Sequence, residues 1–215
     1  MGVCEKLRSG LDMSCGSFTK RYAQQMVLVN RSDVEVKAIL TSITNIDDSY
    51  ECRHRVLFKL YDGRTGFMFK LNENASVIFG SAEKTVEQGI PQYLHVINAA
   101  LLGVSEESKC IQKQMDYGDY FAALQYGDGV IEIFGFEYGL STTDYTYDPQ
   151  NSGGGSLLKL SNLDDSLEDE LPFIYRSGTI GGEIEDFNNL FADNIFEVVG
   201  DFNDDFNDDF NNEGS

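Results

Sequence analysis

Tryptophan is missing from this 215-residue chain, and proline and histidine are nearly so, at three and two. With only His54 and His95, there is little material for histidine-based acid–base catalysis or metal ligation. His54 falls on a predicted strand and His95 in a predicted helix, and both read as structural. Lys and Arg are scarce as well: 16 against 36 Asp and Glu, for a net charge of −20. Gripping a nucleic-acid backbone takes Lys and Arg at the phosphates, so this balance argues against it. It suits instead an acidic wall past which DNA slides.

No apolar run approaches the roughly 20 residues of a membrane-spanning helix. The opening Met1-Gly2-Val3-Cys4-Glu5-Lys6 has no signal-peptide core and lacks the Ser or Thr at position 6 that favours myristoylation of Gly2. The expectation is a soluble, intracellular chain without a membrane anchor. Cys4, Cys15, Cys52 and Cys110 share no short spacing. Without a C-x-x-C pair a zinc site is not expected, and the thiols are read as reduced. There is no G-x-S-x-G elbow, Walker loop or H-E-x-x-H, and Gly153–Gly155 lacks the Lys of a phosphate loop. The Asp and Glu pairs lie in acidic runs that read as solvated loops. The chain is therefore read as a non-enzyme with no cofactor.

What is present is concentrated at the end. Asp201-Phe202-Asn203-Asp204 and Asp205-Phe206-Asn207-Asp208 repeat one unit, and Asp209-Phe210-Asn211-Asn212 nearly repeats it again. From Ser177 onward there are eleven acids and no base, which leaves 25 acids against 16 bases, a net of −9, for residues 1–176. A solubilising terminus needs charge but no phenylalanine at every fourth position. On a helix that period keeps Phe202, Phe206 and Phe210 on nearly one face, so the segment reads either as a linear docking strip or as a disordered, solubilising terminus. Asp201-x-Asn203-x-Asp205 resembles the start of a calcium loop. Phe206 stands where that loop needs Gly and Asn212 where it needs Glu, so no metal is assigned.

The chain divides into an N-terminal arm (1–22), a β-rich body (23–176), a hinge with an amphipathic helix over 184–199 (177–200), and the acidic tail (201–215). Alternation predicts strands over 25–29, 34–44, 50–60, 67–71, 75–79, 140–147, 157–163 and 171–175. Asp62-Gly63 signals a hairpin joining 50–60 to 67–71. Residues 119–125 and 130–136 flank Gly127-Asp128-Gly129 as a second hairpin. Pro91 predicts the first turn of a helix running to about Leu102, and Ser105-Glu106-Glu107 the N-cap of another. The fold class is mainly β: an antiparallel β-sandwich or barrel with one or two short helices packed against it and an acidic C-terminal tail. Tyr138, Tyr145 and Tyr147 cluster beside the glycine loop. They read either as ordinary strand filling or as an inter-subunit interface, and a body with many strand edges favours the interface.

Several stretches are similar to one family. They are Met1-Gly2-Val3-Cys4-Glu5-Lys6-Leu7, Arg21-Tyr22 with Val27-Leu28-Val29-Asn30-Arg31-Ser32-Asp33, Gly129-Val130-Ile131-Glu132-Ile133-Phe134-Gly135, and Glu170-Leu171-Pro172-Phe173. They resemble the tail-tube or ring-type virion structural proteins of tailed phages infecting Bacteroidetes, including the crAss-like group. The acidic tail has no counterpart there. The resemblance implies a sandwich or barrel subunit that forms a sixfold or twelvefold homo-oligomeric ring in the virion tail. It would be assembled in the host cytoplasm beside other tail or portal-proximal proteins. Genome DNA would pass through the channel during ejection without specific binding. The competing expectation is a soluble adaptor or chaperone-like binding module that captures a partner with its acidic, Phe-containing tail.

Overall fold

The structure, a computed structural model, describes residues 23–44, 50–70, 78–87, 89–102, 105–147 and 155–196. Its strands are β1 (Ala23–Asn30), β2 (Val34–Thr44), β3 (Tyr50–Leu60), β4 (Phe67–Lys70), β5 (Phe79–Glu87), β6 (Ile90–Leu102), β7 (Tyr120–Tyr126), β8 (Ile131–Phe134), β9 (Ser141–Tyr147), β10 (Gly155–Ser161) and β11 (Phe173–Tyr175). The helices are α1 (Glu106–Met115) and α2 (Glu183–Asn188). Two sheets form, one ordered β2-β3-β11-β8-β7-β1-β4 and the other β5-β6-β10-β9. All pairings are antiparallel except the parallel step between β3 and β11.

The sheets pack face to face as a sandwich. Met26 and Leu28 of β1, Ala122 and Leu124 of β7, Ile97 and Ala99 of β6, and Leu158 and Leu160 of β10 meet in one core. Gly80 permits a close approach there, because a Cβ at that position would overlap the Phe134 ring reaching across from the larger sheet. The opposite face of the larger sheet is not open to solvent. Val27 and Val29, Phe58, Phe121, Ile131, Ile133, Phe173 and Tyr175 form a second core, closed by Phe187 and Phe191 of the C-terminal segment. This explains why every residue of β7, Tyr-Phe-Ala-Ala-Leu-Gln-Tyr, is buried. A strand covered on both faces needs no polar alternation.

Several expectations hold. α1 begins where the cap residues placed it: the Ser105 hydroxyl accepts from the Ser108 N–H and the Ser108 hydroxyl from the Ser105 N–H, each at 3.1 Å. The β7–β8 hairpin pairs as expected through Gly127-Asp128-Gly129.

Three expectations are corrected. Residues 90–102 are β6, the long strand between β5 and β10, and not a helix. Leu94, Ile97 and Leu101 have helical spacing, but two neighbouring strands outweigh it, and Pro91 sits near the exposed end of the hairpin, where a missing N–H costs least. β4 pairs with β1 and not with β3, whose free side is taken by β11. Asp62-Gly63 does make a turn, with Arg64 N–H donating to Tyr61 C=O at 2.9 Å and Gly63 at φ 74°, but it sends the chain to the far edge of the sheet. Of the strand expected over 75–79, residues 75–77 lie outside the described residues, and Phe79 opens β5, which runs on to Glu87. The helix expected over 184–199 stops at Asn188, because Leu190, Phe191 and Asp193 take φ of 59°, 59° and 56°.

Candidate functional site

Short-range sequence chemistry builds a protruding arm. β5 and β6 meet at the Glu87–Ile90 pair, with Gly89 between them at φ 85°. Among the described residues, Tyr93 is the last arm residue whose backbone bonds to the body. Its N–H donates to the Glu168 C=O at 2.7 Å, and the Glu168 N–H returns to its C=O at 2.9 Å. Beyond it the pairs Thr85–Gln92, Val86–Pro91 and Glu87–Ile90 extend outward, roughly 10 Å at strand rise. Val86 and Ile90 near the tip are 59% and 62% exposed.

The arm belongs to a sheet whose two outer strands, among the described residues, have no strand paired on their outer sides beyond the Ala23–Ile78 bridge at the start of β5. β5 is one outer strand of the four-stranded sheet and β9 the other. Among the described residues, no backbone hydrogen bond reaches either strand from its outer side. The larger sheet ends in β2 and β4. β2 is interrupted by two register shifts and carries Glu35 and Lys37 outward, and β4 has only four residues. Bulges, charge and shortness are what blunt an edge. β5, with nine residues in unbroken register and Glu83, Lys84 and Glu87 along it, and β9, with seven residues and one register shift at Thr143, are the longer edges.

Tyr145 and Tyr147 lie on β9, in the rows of Leu158 and Ser156, with Lys109 Nζ 5.4 Å from the Tyr147 ring centre. They are 48% and 41% exposed. α1 lies against this end, where Gln112 Nε2 donates to Ser156 Oγ at 2.7 Å and Thr142 Oγ1 to the Met115 C=O at 3.0 Å. Tyr138 is not brought to them. It precedes β9 at its other end, where its hydroxyl donates to Asp169 at 3.2 Å, and that carboxylate raises the phenol's pKa. Phe202, Phe206 and Phe210 lie outside the described residues.

Beside Tyr138 is a buried polar knot. Glu168 is fully buried, and its carboxylate accepts from the N–H groups of Glu137 and Tyr138, both at 3.0 Å, and from Asn162 Nδ2 at 3.1 Å. Burial raises its pKa against the pull of those donors. Burial, then the Glu168 charge, raises Glu137 as well. His95 Nδ1 accepts from the Gly135 N–H at 3.0 Å, so Nε2 is the protonated nitrogen and donates to the Glu170 C=O at 3.0 Å. Burial lowers the His95 pKa to about 4, so the ring is neutral. His54 Nε2 meets the Leu171 C=O at 2.9 Å. Both histidines therefore brace residues 170–171. Arg31 clamps the same region from β1's end, donating to Asp119 at 2.8 Å, to the Tyr138 C=O at 2.9 Å and to the Glu137 C=O. Among the described residues no cluster of three or more His, Cys, Asp or Glu could hold a metal, and no helix is long and apolar enough to cross a membrane.

Sequence reasoning missed the arm. Its signal was there, in Val86 and Ile90 bracketing Gln88-Gly89, but Pro91 drew the segment toward helix. Comparison of the chain with protein-family models, with curated proteins and with solved structures returns no match.

Proposed function

We propose that this chain is a structural subunit of a phage tail ring or tail tube. It assembles into a homo-oligomeric ring around a DNA channel and joins neighbouring tail proteins. The observation that carries this reading is the direction of the smaller sheet's edges. Three successive antiparallel pairings leave β5 and β9 running in opposite senses. Subunits related by rotation about a common axis then bring β9 of one antiparallel to β5 of the next. Each contact is head-to-tail, and such contacts close into a ring when the rotation allows. Antiparallel strand addition satisfies the free backbone groups on both edges.

Two further features support the reading. The β5–β6 arm carries Val86 and Ile90 exposed near its tip, as apolar contacts for a neighbouring subunit. A net charge of −20 gives a conduit that repels its polyanionic cargo. The chain acts here as a non-enzyme and needs no cofactor.

The test is the solution mass of the full-length protein, with electron micrographs of the same sample. Rings of six or twelve subunits with a central hole are expected. The double variant Val86→Asp, Ile90→Asp should shift the mass toward monomer with unchanged circular dichroism, since both side chains are exposed. A wild-type protein that stays monomeric at every concentration would defeat the self-assembling reading.

A further inference from the structure

We infer that the chain's own acidic terminus, residues 201–215, docks in the apolar cleft between β4 and α1, with Phe202, Phe206 and Phe210 as its anchors. The cleft has a volume of about 560 Å³, within the ~300–1,000 Å³ usual for ligand sites. Phe67 and Phe69 of β4, Ile111 and Met115 of α1, and Leu190 supply its apolar walls, and no charged residue lines it. Phe67 is 50% exposed and Ile111 36%. β4 is the outer strand of the larger sheet, and among the described residues its backbone bonds only to β1.

Three observations select the occupant. The first is where the chain goes. Leu190 is itself a wall of the cleft, and the described chain ends at Phe196. Phe202 follows six residues later, a reach of up to roughly 20 Å, and Phe210 is within reach of the whole cleft. The second is charge. Residues 1–176 carry a net −9, so most of the body repels an all-acidic segment. The cleft lining holds no carboxylate, and β4 is flanked by exposed Lys70 and by Arg64, which is paired with Asp33 at 3.5 Å. The third is period. A four-residue repeat returns its rings to one face whether a segment is extended or helical, and one face is what a cleft along a strand edge accepts. Each buried ring removes about 150–250 Å² from water, and tethering supplies an effective concentration near the millimolar range.

This inference stands apart from ring assembly, which uses β5 and β9. The test is hydrogen exchange on the full-length protein and on its F202S/F206S/F210S variant. In the wild type, amides of Phe67–Lys70 and Ile111–Met115 should exchange about tenfold or more slowly than in the variant, with β6 and β10 unchanged. Ile111→Asp, at the cleft itself, should release the same β4 amides. A synthetic peptide of residues 201–215 added to the triple variant should restore protection saturably. Equal exchange in wild type and variant would overturn the inference, as would restoration by a peptide with its three Phe changed to Ser. Protection that grows with protein concentration would assign the tail to another copy and overturn the intramolecular seat. Ring mass is measured separately, so either reading can fail alone.

Discussion

The two faces of the larger sheet are covered in different ways. On one side a whole second sheet lies against it, and Ala, Leu, Ile and Met fill most of the space, with Phe134, Tyr120 and Tyr126 among them. On the other a segment of about a dozen residues has to cover the same area, and the core there is aromatic. Phe58 contacts Phe121 and Phe191 at 4.9 Å and Tyr175 at 5.3 Å between ring centres, and Phe191 contacts Tyr175 at 5.1 Å and Phe187 at 5.9 Å. A narrow cover needs large side chains. It also tolerates left-handed backbone at Leu190, Phe191 and Asp193, each a cost of order 1–3 kcal/mol. The buried Phe191 ring offsets that strain. The sandwich side is relaxed in backbone but ends in the buried polar knot of His95, Asn162 and Glu168.

The sharpest way to break the contrast is Phe191→Ala. It removes a fully buried ring and the hold on the strained segment, and should cost about 3–5 kcal/mol. Urea unfolding measures the loss. Hydrogen exchange should show residues 183–194 opening first while β6 and β10 stay protected. Simultaneous opening of both sides would erase the distinction.

Acid probes the other face. His95 stays neutral in the fold down to about pH 4, whereas in the unfolded chain it protonates near 6.5. The stability it permits is therefore complete above pH 6.5 and drains as pH falls toward 4, by roughly 3 kcal/mol at most. Glu168 and Glu137, raised by burial, oppose it. Between the ordinary carboxylate pKa and their raised values the folded state holds the extra proton, so falling pH stabilises in that window. Urea midpoints from pH 7 to 4 should fall less in His95→Gln than in wild type and more in Glu168→Gln. Parallel curves would remove the knot from the acid response.

The smallest expected effect is Tyr175→Phe. Its hydroxyl donates to Asp186 Oδ2 at 2.7 Å and pins α2 to β11. Losing that bond should cost about 1–2 kcal/mol, visible as a shift in urea midpoint without a change in slope.

What could be read from the chain was local. Ser105 through Ser108 announced α1, and Gly127-Asp128-Gly129 announced the β7–β8 turn, because caps and turns are written in adjacent residues. Long-range pairing is not. Nothing near Phe67 says that its partner is Leu28 and not a residue of β3. Nothing in Phe187 or Phe191 says that the second face of β7 needs a cover. β6 misled because Leu94, Ile97 and Leu101 satisfy a helix period while a strand between two neighbours needs no period of its own. Of the candidate surface, Tyr145 and Tyr147 were placed on an open strand, while Val86 and Ile90 went unseen because the arm was taken for a helix.

The three-residue strand β11 also orders events in time. Its residues 173–175 sit between β3 and β8 and, among the described residues, are the one strand joining the β2–β3 hairpin to the rest of the larger sheet. A chain emerging from its N-terminus at about 5–20 residues per second makes that hairpin more than a hundred residues before the strand that docks it. Until Tyr175 is available, β3 and β8 each wait with one unpaired side. The larger sheet is thus completed from its middle, late, by the shortest piece of chain in it.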